Sequence, residues 1–270
     1  MFASVLPAPT ELPPLTMGGS QWDAIFWGFI ASVSLLVSAS LGARFKPGGK
    51  TVAGLLAFTA GVLIALLSYD LIGEAFTVGG LAPSFLGMAI GLLTYVIANR
   101  MLSNLGNHSR RSCEHGGKTH ASIGAMALVM GALVDGIPEA ASIGIGLLET
   151  RFVSAAVIAG VFIANIPEGL ASGAGLSRTG MSQRRILLIW GLVTLACTVS
   201  SWLAFVLLRE SGPFVQATLM SIAGGGILAM TLQTVVPEAF DGTNDLISVL
   251  GAIGFAVVFT LSHVVTHATP

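Results

Sequence analysis

Charge is what this sequence most lacks. Only 9% of its 270 residues are Asp, Glu, Lys or Arg, against roughly 25% in a soluble domain. A chain so poor in charge is not built to face water on all sides. Its 12 basic and 13 acidic residues leave a net charge of −1. There is no basic stripe or acidic tail, and nucleic-acid binding has no compositional support. Cysteine is nearly absent. Cys113 in a polar stretch and Cys197 in an apolar one are too few for a disulfide framework. The start of the chain is no signal peptide, because residues 1–23 lack a basic region and Pro7, Pro9, Pro13 and Pro14 break any apolar run. Enzyme signatures are missing too. No His-Glu-x-x-His, no Ser/His pair at depth and no Gly-x-x-x-x-Gly-Lys-Ser/Thr occurs. The chain reads as neither an enzyme nor an ATPase, and as needing no cofactor.

What is present is apolar and small: 54% hydrophobic residues and 34 glycines. A bilayer-spanning helix needs about 20 mainly apolar residues. Eight such runs fall at 24–43, 51–73, 80–99, 121–147, 152–176, 186–208, 214–236 and 246–266, here called spans 1 to 8. The glycines suit helices packed closely in lipid. The fold expected is all-α and polytopic: an extracytoplasmic tail at 1–23, then an eight-helix membrane domain at 24–267. Basic residues set the orientation. Arg44, Lys46, Lys50, Arg100, Arg110, Arg111, Lys118, Arg178, Arg184 and Arg185 fall in links on one side, Arg151 and Arg209 on the other. The first side is expected to be cytoplasmic and both termini extracytoplasmic, in a bacterial inner membrane.

The link 100–120 holds His108, Cys113, His115 and His120. One reading is a labile cytoplasmic metal-binding loop. The plainer one is a basic tether, since the spacings match no closed zinc site.

Ionisable groups inside spans are costly and mark function. They are Asp70 and Glu74 in span 2, Asp135 and Glu139 in span 4, and Glu168 in span 5, with Glu238 ending span 7. No Lys, Arg or His lies at mid-depth to neutralise them, so a bound cation would remove the cost of burying them. Asp135 and Glu139 are i, i+4; Asn165 and Glu168 are i, i+3; each pair shares a helix face. Both glutamates follow a proline, in Ile137-Pro138-Glu139 and Ile166-Pro167-Glu168. Pro138 and Pro167 free the carbonyls of Val134 and Ile163, and freed carbonyls lining a cavity can ligate a cation. A plain kink is the bland reading of each proline, and an outer-end polar cap that of Asp70 and Glu74. Met126 and Met130 read as packing residues.

Two internal repeats are visible. Shifted by 29 positions, Pro138, Glu139, Gly144 and Gly146 fall on Pro167, Glu168, Gly173 and Gly175. A weaker one relates 60–76 to 224–240 and aligns Glu74-Ala75-Phe76 with Glu238-Ala239-Phe240. These pair span 4 with 5 and span 2 with 7, which is not a tandem four-plus-four duplication.

At these residues the chain resembles the ZIP (Zrt/Irt-like protein) family of divalent metal transporters, most specifically over Ile166-Pro167-Glu168-Gly169-Leu170-Ala171. The resemblance implies eight spans kinked at the span 4 and 5 prolines around a central metal site. It also implies metal moving toward the cytoplasm: zinc by default, with manganese or iron as alternatives. Carried over by position, family ligand sites fall on Asp135, Gly136, Glu139, Ala164, Asn165 and Glu168. The family's span 6 glutamate falls on Thr194, and its span 7 His-Glu on Gln233-Thr234. The expected metal ligands are Asp135, Glu139, Asn165 and Glu168. That all-oxygen set predicts a mononuclear site less selective for zinc. Asp70, Glu74, Gln233 and Glu238 are expected along the path. Spans 1 and 6 carry few polar groups and are candidates for a homodimer face. The rival reading is a transport-inactive sensor or scaffold of the same fold.

Overall fold

The computed structural model describes residues 19–111, 133, 136–148, 155–240 and 246–267. Every element among them is helical. In chain order these are α1 (Gln21–Phe45), α2 (Gly49–Leu66), α3 (Ile72–Gly79), α4 (Leu81–Arg111), α5 (Gly136–Leu148), α6 (Ala155–Arg178), α7 (Gln183–Leu208), α8 (Pro213–Met230), α9 (Val236–Phe240) and α10 (Leu246–His267). Among the described residues, six helical segments are long and apolar enough to cross a membrane: Gln21–Phe45, Gly49–Gly79, Leu81–Met101, Val157–Arg178, Gln183–Leu208 and Pro213–Phe240. Two shorter apolar helices, Gly136–Leu148 and Ile247–Ser262, accompany them. This is the make-up of an integral, multi-pass membrane protein.

The side chains fit that setting. Leu188, Leu192, Leu195, Leu203 and Leu207 of α7 are all exposed, an apolar stripe suited to lipid and unsuited to water. Hydroxyls inside the helices fold back on their own backbone, as from Thr94 Oγ1 to the Ile90 carbonyl (2.8 Å), Thr218 to Phe214 (2.7 Å) and Thr260 to Ala256 (2.7 Å). Such bonds satisfy a hydroxyl where no water reaches.

Local chemistry sets the helix ends. Ser20 and Asp23 cap α1 reciprocally: the Asp23 amide donates to Ser20 Oγ (3.3 Å) and the Ser20 amide to Asp23 Oδ2 (3.0 Å). These are donors that a helix start otherwise leaves orphaned. Gly80, at φ 80°, makes the sharp turn from α3 into α4. In α4 the helix continues to Arg111, so residues 100–111 of the expected loop are helical and only the rest of that link lies outside the described residues. Pro167 sits inside α6, and the helix continues on both sides of it.

Spans 2 and 7 hold a feature not expected from the sequence. Leu67–Leu71 and Thr231–Val235 are π-helical turns, closed by Ile72 N–H to the Leu67 carbonyl and Val236 N–H to the Thr231 carbonyl. The second turn lies 164 positions after the first, the offset of the weaker sequence repeat. Burial repeats with it. Leu67, Leu71 and Ala75 are buried as Thr231, Val235 and Ala239 are, while Phe76 and Phe240 are both exposed.

Packing follows the same rule. α2 packs on α10 and α8 on α4, both through glycine. A Cβ on Gly61 would strike the Gly251 carbonyl, and one on Gly225 the Met88 carbonyl. The 29-position repeat is matched as well. Gly173 of α6 lies on the Ala39 carbonyl of α1, and Gly144 of α5 on the Ser201 carbonyl of α7. Ser38 of α1 donates to the Asn165 carbonyl of α6 (3.3 Å), and Ser200 of α7 to the Ile137 carbonyl of α5 (3.1 Å). Helices α1 and α6 therefore meet as α7 and α5 do. Within span 1, Ser32, Ser34 and Ser38 are all buried, and α1 packs against α6 and α7.

Cavities mark the two ends. One, of about 510 Å³, is lined by Pro47, Lys50, Arg178 and Glu238. The other, of about 650 Å³, is lined by Ser20, Trp22, Leu148 and Arg209. Ser20 precedes α1 and Pro47 follows it, so the two cavities lie at its opposite ends. Lys50 and Arg178, two of the residues whose links set the expected orientation, line the first of them.

Candidate metal site

Glu139 on α5 and Asn165 on α6 are each only 2% exposed, and Glu168 follows Asn165 by less than a turn. Burial of this kind needs a cause, since a carboxylate or amide withdrawn from water costs free energy unless it is satisfied. The neighbouring helices provide part of the answer. Asn165 Nδ2 donates to the Ala31 carbonyl of α1 at 3.2 Å, while Asn165 Oδ1 is buried without a hydrogen-bond donor. An orphaned buried acceptor calls for an explanation, and a cation or an ordered water is the usual one. Ser142 Oγ donates to the Glu139 carbonyl (2.6 Å) and Ser172 Oγ to the Glu168 carbonyl (2.7 Å). The serine one turn after each glutamate thus does the same work in both motifs.

Small residues let these helices close up. A side chain on Gly169 would collide with Ser38 Oγ, and one on Gly42 with the Leu170 backbone. Gly136 leaves a notch that Cys197 of α7 fills, its Sγ 2.9 Å from where a Cβ would stand. Gly136 precedes Glu139 by three positions, so the Cys197 thiol lies about one turn of α5 from that glutamate. Sequence reasoning passed over Cys197. The available signal was its place three residues after Thr194, on the same face of α7.

Asp135 lies outside the described residues, as do Cys113, His115 and His120; His108 falls on the helical continuation of α4. Among the described residues no group of three His, Cys, Asp or Glu side chains is arranged to hold a metal ion. The other sequence candidates sit on the π-turn segments. Asp70 Oδ2 accepts from Ser262 Oγ of α10 at 2.8 Å. Gln233 Oε1 accepts from Asn99 Nδ2 of α4 at 3.3 Å, and Thr234 shares a hydrogen bond of 3.2 Å with Tyr95. Glu74 is half-buried on α3, and Glu238 lines the 510 Å³ cavity.

No protein-family model matches this chain, and no curated protein matches it.

Proposed function

We propose that this protein is a transmembrane transporter of divalent metal cations, with its central site between α5 and α6. The observation that carries the reading is the burial of Glu139 and Asn165 among apolar helices, with an unsatisfied amide oxygen on Asn165, less than a turn before Glu168. A divalent ion neutralises the carboxylates and gives that oxygen its partner. Asp135, one turn before Glu139, and the carbonyls released by Pro138 and Pro167 would complete the ligand set. The resemblance to ZIP proteins supports eight spans, proline kinks at the site, and movement toward the cytoplasm. Zinc is the default substrate on that ground, with manganese or iron as alternatives. The oxygen donors favour hard ions, while Cys197 offers a softer atom in the same neighbourhood.

The mechanism that fits is passage from the side of Asp70 and Glu74, loss of hydration at the α5–α6 site, and release past Glu238. Gradients would drive it. Uptake of Zn²⁺ and Mn²⁺ into proteoliposomes tests the reading. Glu139→Gln and Glu168→Gln should each reduce uptake by at least tenfold and weaken binding of the ion to purified protein. Undiminished binding in both variants rejects the site. Binding without flux of any divalent ion would favour the sensor or scaffold reading.

A further inference from the structure

The 510 Å³ cavity is a built feature that the α5–α6 cluster does not use. Its lining joins the first turn of α2, the last turns of α6 and the short α9: Lys50, Ala171, Arg178 and Glu238. Arg178 Nη2 donates to the Pro47 carbonyl at 3.2 Å, which holds the guanidinium at the rim. Ala171 follows Glu168 by three positions on α6, less than one turn of helix. The cavity therefore reaches to within a turn of Glu168 along α6. A general excess of Lys and Arg on one side accounts for basic links. It does not account for two of those residues lining one cavity with a carboxylate.

Like charges raise the energy of a cation held nearby. A divalent ion at Glu238 would be attracted by one carboxylate and repelled by an ammonium and a guanidinium across the same small space. It would bind there weakly and leave fast. We propose that this cavity is the release vestibule of the transport path, and that Lys50 and Arg178 form a positive collar making Glu238 a low-affinity, fast-releasing station for a divalent cation. The proposal rests on the transporter reading and adds to it a device that opposes return of the ion.

The test uses the full chain in proteoliposomes and has two arms. In the first, Ala171→Cys and, separately, Val52→Cys are treated with anionic and cationic thiosulfonate reagents, the parent protein serving as blank. The anionic reagent should react several-fold faster, and adding Lys50→Gln with Arg178→Gln should abolish that preference. Reaction of neither cysteine, or a preference unchanged by the double substitution, overturns the vestibule. In the second arm, Zn²⁺ or Mn²⁺ trapped inside the vesicles competes with uptake from outside. Lys50→Gln/Arg178→Gln should make the internal ion about tenfold more inhibitory, with the external KM unchanged, as removal of two like charges from the lining of one cavity implies after screening. If Glu139→Gln stops uptake while the double variant leaves internal inhibition unchanged, the collar alone is rejected. If Glu139→Gln leaves uptake intact, the central site is rejected, and the vestibule with it.

Discussion

Leu67–Leu71 and Thr231–Val235 widen their helices at equivalent places, but the side chains they present differ in kind. A π-turn inserts one extra residue and rotates everything after it, so it can aim side chains that a regular helix would turn elsewhere. In the first segment the turn sets Asp70 against Ser262 and Tyr69 against Phe255 and Phe259 of α10. In the second it sets Thr234 against Tyr95 and Gln233 against Asn99 of α4. One end thus carries a carboxylate and an aromatic cluster, the other a neutral amide and hydroxyl pair. The backbone device is duplicated and its charge is not.

The equivalence of the two frames is open to a direct blow at their glycines. Gly61→Val and Gly225→Val should each cost about 3 kcal/mol or more, because the new side chain meets a backbone carbonyl of the partner helix and not a side chain that can turn away. Thermal unfolding in detergent, followed by tryptophan fluorescence, measures both. Similar losses support the pairing of α2 with α10 as the counterpart of α8 with α4. Tolerance of one and collapse of the other would break it.

The chemical asymmetry is measured by two double-mutant cycles, one on Asp70 and Ser262, the other on Thr234 and Tyr95. A hydrogen bond to a charged acceptor contributes about 1.5 kcal/mol or more, and a neutral bond between membrane helices about 0.6 kcal/mol. The coupling of the first pair should be at least twice that of the second in reversible denaturation from micelles. Equal couplings would mean that Asp70 holds a proton in the folded protein, and that the two ends are chemically alike after all.

How much of this was legible depended on which link of the chain carried it. Six of the eight expected spans were, because about 20 apolar residues in a row leave the backbone no other way to satisfy itself in lipid. Glu139 and Asn165 were, because a polar side chain within such a run announces itself. The π-turns were not: no residue type marks an i→i+5 bond, and Leu67–Leu71 reads like the helix around it. The Glu-Ala-Phe repeat pointed to the right offset without its cause. The role of α1 was hidden because Ser32, Ser34 and Ser38 look like minor polar residues until they are seen buried where α1 packs on α6 and α7. Cys197 was hidden for the opposite reason. A thiol behaves as a small hydrophobe in an apolar run, and only the notch at Gly136 shows which way it points.

The smallest test separates a glycine used for contact from one that is not, in the helices α1 and α7 that meet at the centre. Each has a glycine about two turns from its start. At Gly28 a Cβ would stand 2.6 Å from the Cβ of Ser201, whose hydroxyl donates to the Ala24 carbonyl at 3.0 Å. Gly28→Ala should therefore push α7 away, weaken that bond and cost about 1 kcal/mol. At Gly191 nothing lies within 4 Å of the added atom. Gly191→Ala removes only the backbone freedom that glycine gives the unfolded chain, and should stabilise the protein by about 0.5 kcal/mol. Opposite signs in the same unfolding assay would show that α1 meets α7 through its glycine while α7 does not meet α1 through its own.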